Sequence, residues 1–330
     1  MPANLTPQYN KAEEDFKKAK TADEKLACLK EMFKLLPKHK GTEKIQADLK
    51  TKISDMKDEA EKEKKKAASV GVSYRIPKQG AGQILLIGGP NVGKSKLLTR
   101  LTKATPEVAP YPFTTREPHP GMMAWEDCSV QLIDTPPITK DYLESWLGNM
   151  SKSCDACALI VDLADDDGAS AAAAVIQHLG EQKTNLVQDV PAGELDPRVH
   201  YCRTLIVANK CDDPGAADRL EFLKEFLGGR FAIHSVSAET GQGLEELRTG
   251  LYQFLRVLRV YTKQPGKPAD MSSPFTCPIG STVHDLAGIV HREVQEKLKS
   301  ARIWGTGVFD GQTVKRDHVL HDKDVVELHV

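Results

Sequence analysis

Gln83-Ile-Leu-Leu-Ile-Gly88-Gly89-Pro90-Asn91-Val92-Gly93-Lys94-Ser95-Lys96-Leu-Leu-Thr99 decides the fold of this chain. A short apolar run enters a glycine-rich turn, and helix-forming residues follow the turn. The turn fits the spacing G-x4-G-K-[ST] of a phosphate-binding loop in its required strand–loop–helix setting. The glycines let backbone N–H groups point inward, and the helix that follows presents its positive end to an anion. Gly88 to Lys96 are therefore expected to wrap a nucleotide's phosphates. In such a loop the lysine, Lys94, neutralises the β- and γ-oxygens and the hydroxyl of Ser95 ligates Mg²⁺.

Downstream, apolar runs alternate with helical segments: VQLID at 130–134, ALIVDL at 158–163, TLIVAN at 204–209 and FAIHSVS at 231–237. Unbroken apolar runs are what strands buried on both faces need. Their alternation with helices predicts an α/β fold, a mostly parallel P-loop NTPase sheet whose ligand sits at the carboxyl ends of its strands. Three further motifs close such runs. Asp134-Thr-Pro should bring a carboxylate to the metal. Asn209-Lys210-Cys-Asp212 reads as NKxD, in which a carboxylate accepts from guanine N1–H and the exocyclic amine. Adenine offers no such pair, so a wrong base leaves the carboxylate unmatched. Ser237-Ala238-Glu239 has the form of the loop that backs the guanine carbonyl. The ligand is expected to be GTP or GDP.

The remainder of the chain divides by composition. Residues 1–67 hold one glycine, Gly41, and 17 lysines against 13 acidic residues. Thr6-Pro7 and the capping box Thr21-Ala-Asp-Glu24 start helices. Leu26, Leu29, Phe33 and Leu36 share one helix face. After the break from Pro37 to Gly41, Ile45, Leu49, Ile53 and Met56 share another. This predicts a helical hairpin over 1–67 with a mildly basic surface. A linker follows at 68–82, then the nucleotide domain at 83–260. A Pro/Ser/Lys-rich joint lies at 261–274, and a small α+β unit at 275–330. That last unit should carry a helix near 283–298, started by Thr282 and Asp285, with strands around 301–305 and 324–330. Its Lys297, Lys299, Arg302, Lys315 and Arg316 suit contact with a phosphate backbone, and Trp304 is expected in its core.

The 330 residues carry 28% charged and 40% apolar side chains and a net charge of −1. That balance excludes a polyelectrolyte for nucleic acid, and no DNA partner is expected. No run of 18 apolar residues occurs and the opening MPANLTPQYN is not a signal peptide, so the expectation is a cytoplasmic protein with no membrane partner. Seven cysteines are then expected as reduced thiols. Cys154 and Cys157 form a CxxC with no second pair or histidine close by in sequence; because the pair leads into an apolar strand-like run, packing is favoured over a metal or redox role.

Between the phosphate loop and Asp134 runs Tyr111-Pro-Phe-Thr114-Thr115-Arg-Glu-Pro-His119-Pro-Gly121. It strongly resembles the switch YPFTT-x-x-P-x-x-G of the Obg-like translation-factor GTPases. The stretch VYTKQPGKPADMSSPF and ARIWGTG at 301–307 resemble the TGS domain, of β-grasp form, in the developmentally regulated GTP-binding (DRG) branch. LPKHKGTEKIQADLKTKIS at 36–54 resembles that branch's helical amino terminus. The resemblance implies a GTPase, with Thr115 as a further Mg²⁺ ligand. It also implies association with a ribosome or RNA through the TGS-like unit and the amino-terminal helices. The loop asparagine, Asn91, matches the one that holds a potassium ion in GTPases with G-x-P-N-x-G-K-S, so K⁺-stimulated, slow hydrolysis is expected. A nucleotide-stabilised adaptor with little hydrolysis is the alternative. The interval from Asp134 to Asn209 looks too short for the extra domain that eukaryotic DRG proteins insert. The family's D-x-P-G is Asp134-Thr-Pro-Pro137 here, and proline has no N–H to offer a γ-phosphate. The water-orienting glutamine position of Ras-type enzymes falls on Ile138.

Overall fold

The computed structural model describes residues 22–35, 49–53, 74, 76–102, 117–139, 143–144, 146–191, 193 and 195–330. The chain falls into two units, Met1–Ser73 and Tyr74–Val330. In the first, helix α1 (Ala22–Leu35) buries Leu29 and Met32, and the helical stretch 49–53 buries Leu49. Lys50 lies over the ring of Phe33 at 5.9 Å, so the two stretches meet as a helical hairpin requires. The cap at Thr21, the break at Pro37 to Gly41, Ile45 and the switch from Tyr111 to Thr115 lie outside the described residues.

The second unit opens on a seven-stranded sheet. Its strands are β1 (Gln83–Gly88), β2 (His119–Trp125), β3 (Cys128–Asp134), β4 (Ala156–Asp162), β5 (Thr184–Val187), β6 (His200–Asn209) and β7 (Ile233–Ser235). The order is β2-β3-β1-β4-β6-β5, and β7 pairs the second half of β6. All pairings are parallel except β2 with β3. Every residue of β1 is buried, as a strand covered on both faces requires. Leu85, Ile87, Leu159 and Val161 meet one layer, which includes α3 (Leu147–Ser153), α4 (Gly168–Glu181) and α5 (Ala216–Leu227). Ile84, Leu86, Ala158 and Ile160 meet α2 (Lys94–Leu101) and α6 (Leu244–Phe254) on the other side. From Leu147 to Asn209 the described chain runs only through α3, β4, α4, β5 and β6, so no inserted domain stands there.

Five strands form a second sheet in the order β11-β10-β12-β8-β9. They are β8 (Val257–Thr262), β9 (Phe275–Pro278), β10 (Ser300–Trp304), β11 (Gln312–Val314) and β12 (Asp324–His329). The expected boundary at 260/261 falls inside β8, which pairs with β12 and β9 deep in this sheet. The small unit thus begins at Val257, upstream of the Pro-rich joint. Thr282 and Asp285 do form a capping box, with Asp285 Oδ2 accepting from Thr282 N–H at 2.8 Å. The single helix expected over 283–298 is two, α7 (Val283–Val290) and α8 (Arg292–Lys297). His291 divides them because its backbone is extended and its Nδ1 accepts from Glu293 N–H, capping the second helix. Trp304 is half-buried at the sheet surface with Lys263 4.3 Å above its ring, and not in the core.

Arg259 of β8 joins the two sheets. It is 3% exposed, and its guanidinium donates to Asp127 Oδ1 at 2.9 Å, Asp322 Oδ2 at 2.7 Å and Glu126 Oε2 at 2.5 Å. Glu126 and Asp127 form the turn between β2 and β3. The same guanidinium lies 5.0 Å from the ring of Trp125, which stacks on Tyr252 at 3.7 Å.

Candidate nucleotide site

The phosphate loop leaves β1 at Gly88 and enters α2 at Lys94. Two glycines explain its close packing. Gly93 has φ +93°, and a Cβ there would lie 2.4 Å from Asn209 Nδ2. Gly88 has φ +152°, and a Cβ would lie 2.6 Å from the carbonyl oxygen of Ile160. Any side chain would push the loop off its supporting strands. Asn91, at φ +59°, also sits in the left-handed region, which asparagine tolerates better than most residues. The N-cap of α2 is Gly93, two residues further on.

Lys94 is 7% exposed, and its Nζ donates to the carbonyl oxygens of Gly89 at 2.8 Å and Gly88 at 3.2 Å. Burial pulls its pKa down to about 8, against the opposing pull of Asp134. Asp134 closes β3 in full burial, and Ser95 Oγ donates to its Oδ2 at 2.5 Å. A hydroxyl and a carboxylate converging beside a buried ammonium suit a hard cation and the oxygens of a polyphosphate.

The loops at the ends of β6 and β7 are fastened to the phosphate loop by Asn209. Its Nδ2 donates to the Val92 carbonyl at 2.8 Å, and its Oδ1 accepts from Ala238 N–H at 3.0 Å. Asn209 is thus a buried brace. Lys210, at φ +65°, ion-pairs with Asp162 at the end of β4. Asp212 stands exposed two residues on. Ser237 Oγ accepts from Thr240 N–H at 3.0 Å and shapes its loop. Lys96 and Glu239, both expected on the nucleotide, pair with each other. Arg100 donates to the carbonyls of Ala238 at 2.9 Å and Glu239 at 2.6 Å, clamping that loop to α2. Sequence reasoning missed Arg100 and Asp162. Arg100 belongs to no motif, and Asp162 was visible only as the polar end of an apolar strand.

Beyond Asp134 the chain is packed down. Thr135 Oγ1 donates to the Leu86 carbonyl at 2.8 Å, and Ile138 N–H donates to the Gly88 carbonyl at 3.0 Å. Ile138 is buried among Trp146, Leu147 and Leu163. Thr115 lies outside the described residues.

Two families match the chain: "50S ribosome-binding GTPase" over residues 83–192 and "TGS domain" over residues 258–330. The second match begins inside β8, where the second sheet begins. Asn209, Asp212 and Ser237 lie beyond the first match and rest on residues and geometry alone. Among relatives, an uncharacterized GTP-binding protein of Halobacterium salinarum is 26% identical, covering 93% of this chain and 98% of its own. Developmentally-regulated G-protein 1 of Arabidopsis thaliana is 26% identical, covering 88% of this chain and 87% of its own. Among solved structures, Aquifex aeolicus Era bound to GDP·AlF4⁻ superposes with a TM-score of 0.42 at 19% identity, covering 68% of this chain and 72% of that one. No helix among the described residues is long and apolar enough to cross a membrane. The chain is a GTP-binding protein, a GTPase domain followed by a TGS domain, related along nearly its whole length to the developmentally regulated GTP-binding proteins.

Proposed function

We propose that this GTPase is a slow molecular switch that docks on an RNA-rich partner, such as a ribosome, in one nucleotide state. The observation that carries the reading is the convergence of Lys94, Ser95, Asp134 and Asn209 at the carboxyl ends of β1, β3 and β6. Backbone amides from Gly88 to Lys94 and the Lys94 ammonium hold the phosphates. Asp212 reads guanine by accepting two hydrogen bonds, with Ala238 backing the base edge. Ser95 and Asp134 fit Mg²⁺, for which the switch motif implies Thr115 as a further ligand; the ion when bound supplies charge neutralisation for the transferring phosphoryl group. Ile138 is committed to the core, so no side chain at that position orients water. Asn91 is exposed and held in a left-handed turn, and fits a monovalent cation that offsets transition-state charge. Hydrolysis faster in KCl than in NaCl, lost in Asn91→Ala, is the expected result; equal rates in the two salts contradict the K⁺ role.

Lys297, Lys299, Arg302, Lys315 and Arg316 are all exposed on the second sheet and its flanks, where they can reach phosphates. Such binding weakens steeply with salt. One observation favours a second reading, an adaptor that nucleotide merely stabilises. Pro137 has no N–H, and the next N–H, on Ile138, is spent on Gly88. Sedimentation with ribosomes separates the two. The switch predicts binding that differs between a GTP analogue and GDP and falls with salt; equal binding in both states favours the adaptor.

A further inference from the structure

At the opposite ends of β4 and β6 from the nucleotide loops, three cysteines meet that the sequence keeps apart. Cys154 caps α3, Cys157 enters β4, and Cys202 enters β6. Their sulfurs lie 3.9 Å (Cys154 to Cys157), 3.9 Å (Cys154 to Cys202) and 3.3 Å (Cys157 to Cys202) apart, and all three side chains are buried as free thiols. The CxxC that lacked partners in sequence gains one from a strand 45 residues later. His200 stands two residues before Cys202, so β6 turns both to one face, and the imidazole is near enough to favour the thiolate of Cys202. His200 is half-buried, whereas Cys157 and Cys202 are sealed.

The geometry points to a structural zinc site, with Cys154, Cys157 and Cys202 as thiolate ligands; His200, which stands outside that close group, would have to swing in to close the fourth position. Tetrahedral zinc with Zn–S bonds of about 2.3 Å places its sulfurs about 3.8 Å apart, and two of the three separations match that spacing. The third, at 3.3 Å, is shorter than that spacing, so Cys157 and Cys202 would have to part slightly to take the ion. Among the described residues, this is the one group of three metal-ligating side chains with its ligand atoms all within 4.8 Å. The surroundings supply apolar side chains such as Leu147, Met150 and Leu186, which exclude water and other ligands. His200 lies on the outer side, where a metal can enter. A zinc ion there staples α3 to the first residues of β4 and β6, the two strands that carry Asp162 and Asn209 at their far ends.

Three buried cysteines can also pack simply as small apolar groups, and the test distinguishes the two. Untagged full-length protein, purified under reducing conditions, is assayed for zinc, stripped with a chelator and titrated with Co²⁺. The expected result is one zinc per chain, and on titration a sulfur-to-cobalt charge-transfer band with the visible bands of tetrahedral cobalt, saturating at one equivalent. Cys202→Ser and Cys154→Ser should weaken that band and the affinity for cobalt, Cys128→Ser and Cys277→Ser should leave both unchanged, and His200→Gln should shift the visible bands. Retained GDP binding shows that a variant is folded. A native protein that carries no zinc and gives no charge-transfer band overturns the site, whatever the variants do.

Discussion

Lys94 and Arg259 are both buried cations, yet their surroundings are opposite. Arg259, at 3% exposure, is matched by Glu126, Asp127 and Asp322, and its pKa is raised, chiefly through its hydrogen bonds to Asp322. Lys94 rests on two carbonyls with Asp134 nearby, and burial dominates, drawing it down to about 8. The protein answers one charge completely and leaves the other under-compensated. A fully paired cation fixes the joint between two sheets. A desolvated one with few partners is poised to gain stabilisation from an incoming anion, and perturbed groups of this kind collect at functional sites.

The comparison breaks most visibly if Lys94 is removed. Lys94→Ala should lower GTP hydrolysis by about 10²–10³-fold, the scale on which preorganised charge stabilises a transition state. A loss below threefold in single-turnover assays would return Lys94 to a merely structural role. Arg259→Leu should leave the nucleotide affinity intact and destabilise the fold by about 2–3 kcal/mol. That is below the roughly 3–5 typical of breaking a buried pair, because Glu126 and Asp322 are about half exposed and can rehydrate. Urea denaturation of the GDP-bound protein measures it, and an unchanged midpoint contradicts the role of Arg259 in joining the two sheets.

The pH dependence follows from the same contrast. In the free protein Lys94 loses its proton near pH 8, and a bound polyphosphate favours the charged form. GDP affinity should therefore be constant below about pH 8 and fall above it, by up to tenfold per pH unit. Calorimetry at pH 8 in two buffers of different ionisation enthalpy should register proton uptake on binding, and Lys94→Arg should abolish it. The smallest expected effect is at Pro137. Pro137→Gly restores one N–H and should raise the GTP-to-GDP affinity ratio about threefold to tenfold, the worth of one hydrogen bond. An unchanged ratio would mean that the second switch never reached the γ-phosphate through this position.

How much of this was legible in the sequence depended on whether the signal was local. The phosphate loop, Asp134 and NKxD could be read because each closes an apolar run, and the structure sets all three at carboxyl strand ends. The edge strand β2, HPGMMAW, could not: Pro120 and Gly121 argue against a strand, yet proline is tolerated at an edge. The four residues of β5 are too short for periodicity. The placement of β8 depends on pairing with β12, more than 60 residues away, and no window of sequence carries that. Within the site, Asn209 read as a base contact, and what the structure shows is a brace to Val92 and Ala238. Lys96, next after the phosphate-loop motif, and Glu239, the last residue of Ser237-Ala238-Glu239, were grouped with the nucleotide by position, and in the structure they pair with each other. The cysteine cluster was invisible for the reason that hid β8, since Cys202 joins the CxxC only through the register of β6 against β4.

The most direct test of the account is a paired titration of nucleotide-free protein with GDP and ADP in the presence of Mg²⁺. A site whose base is read by the Asp212 carboxylate should bind GDP at least a hundredfold more tightly, on the scale by which a hydrogen-bonding pocket rejects an unmatched base. Asp212→Ala should erase the difference. Equal affinities in the unmodified chain would contradict the assignment.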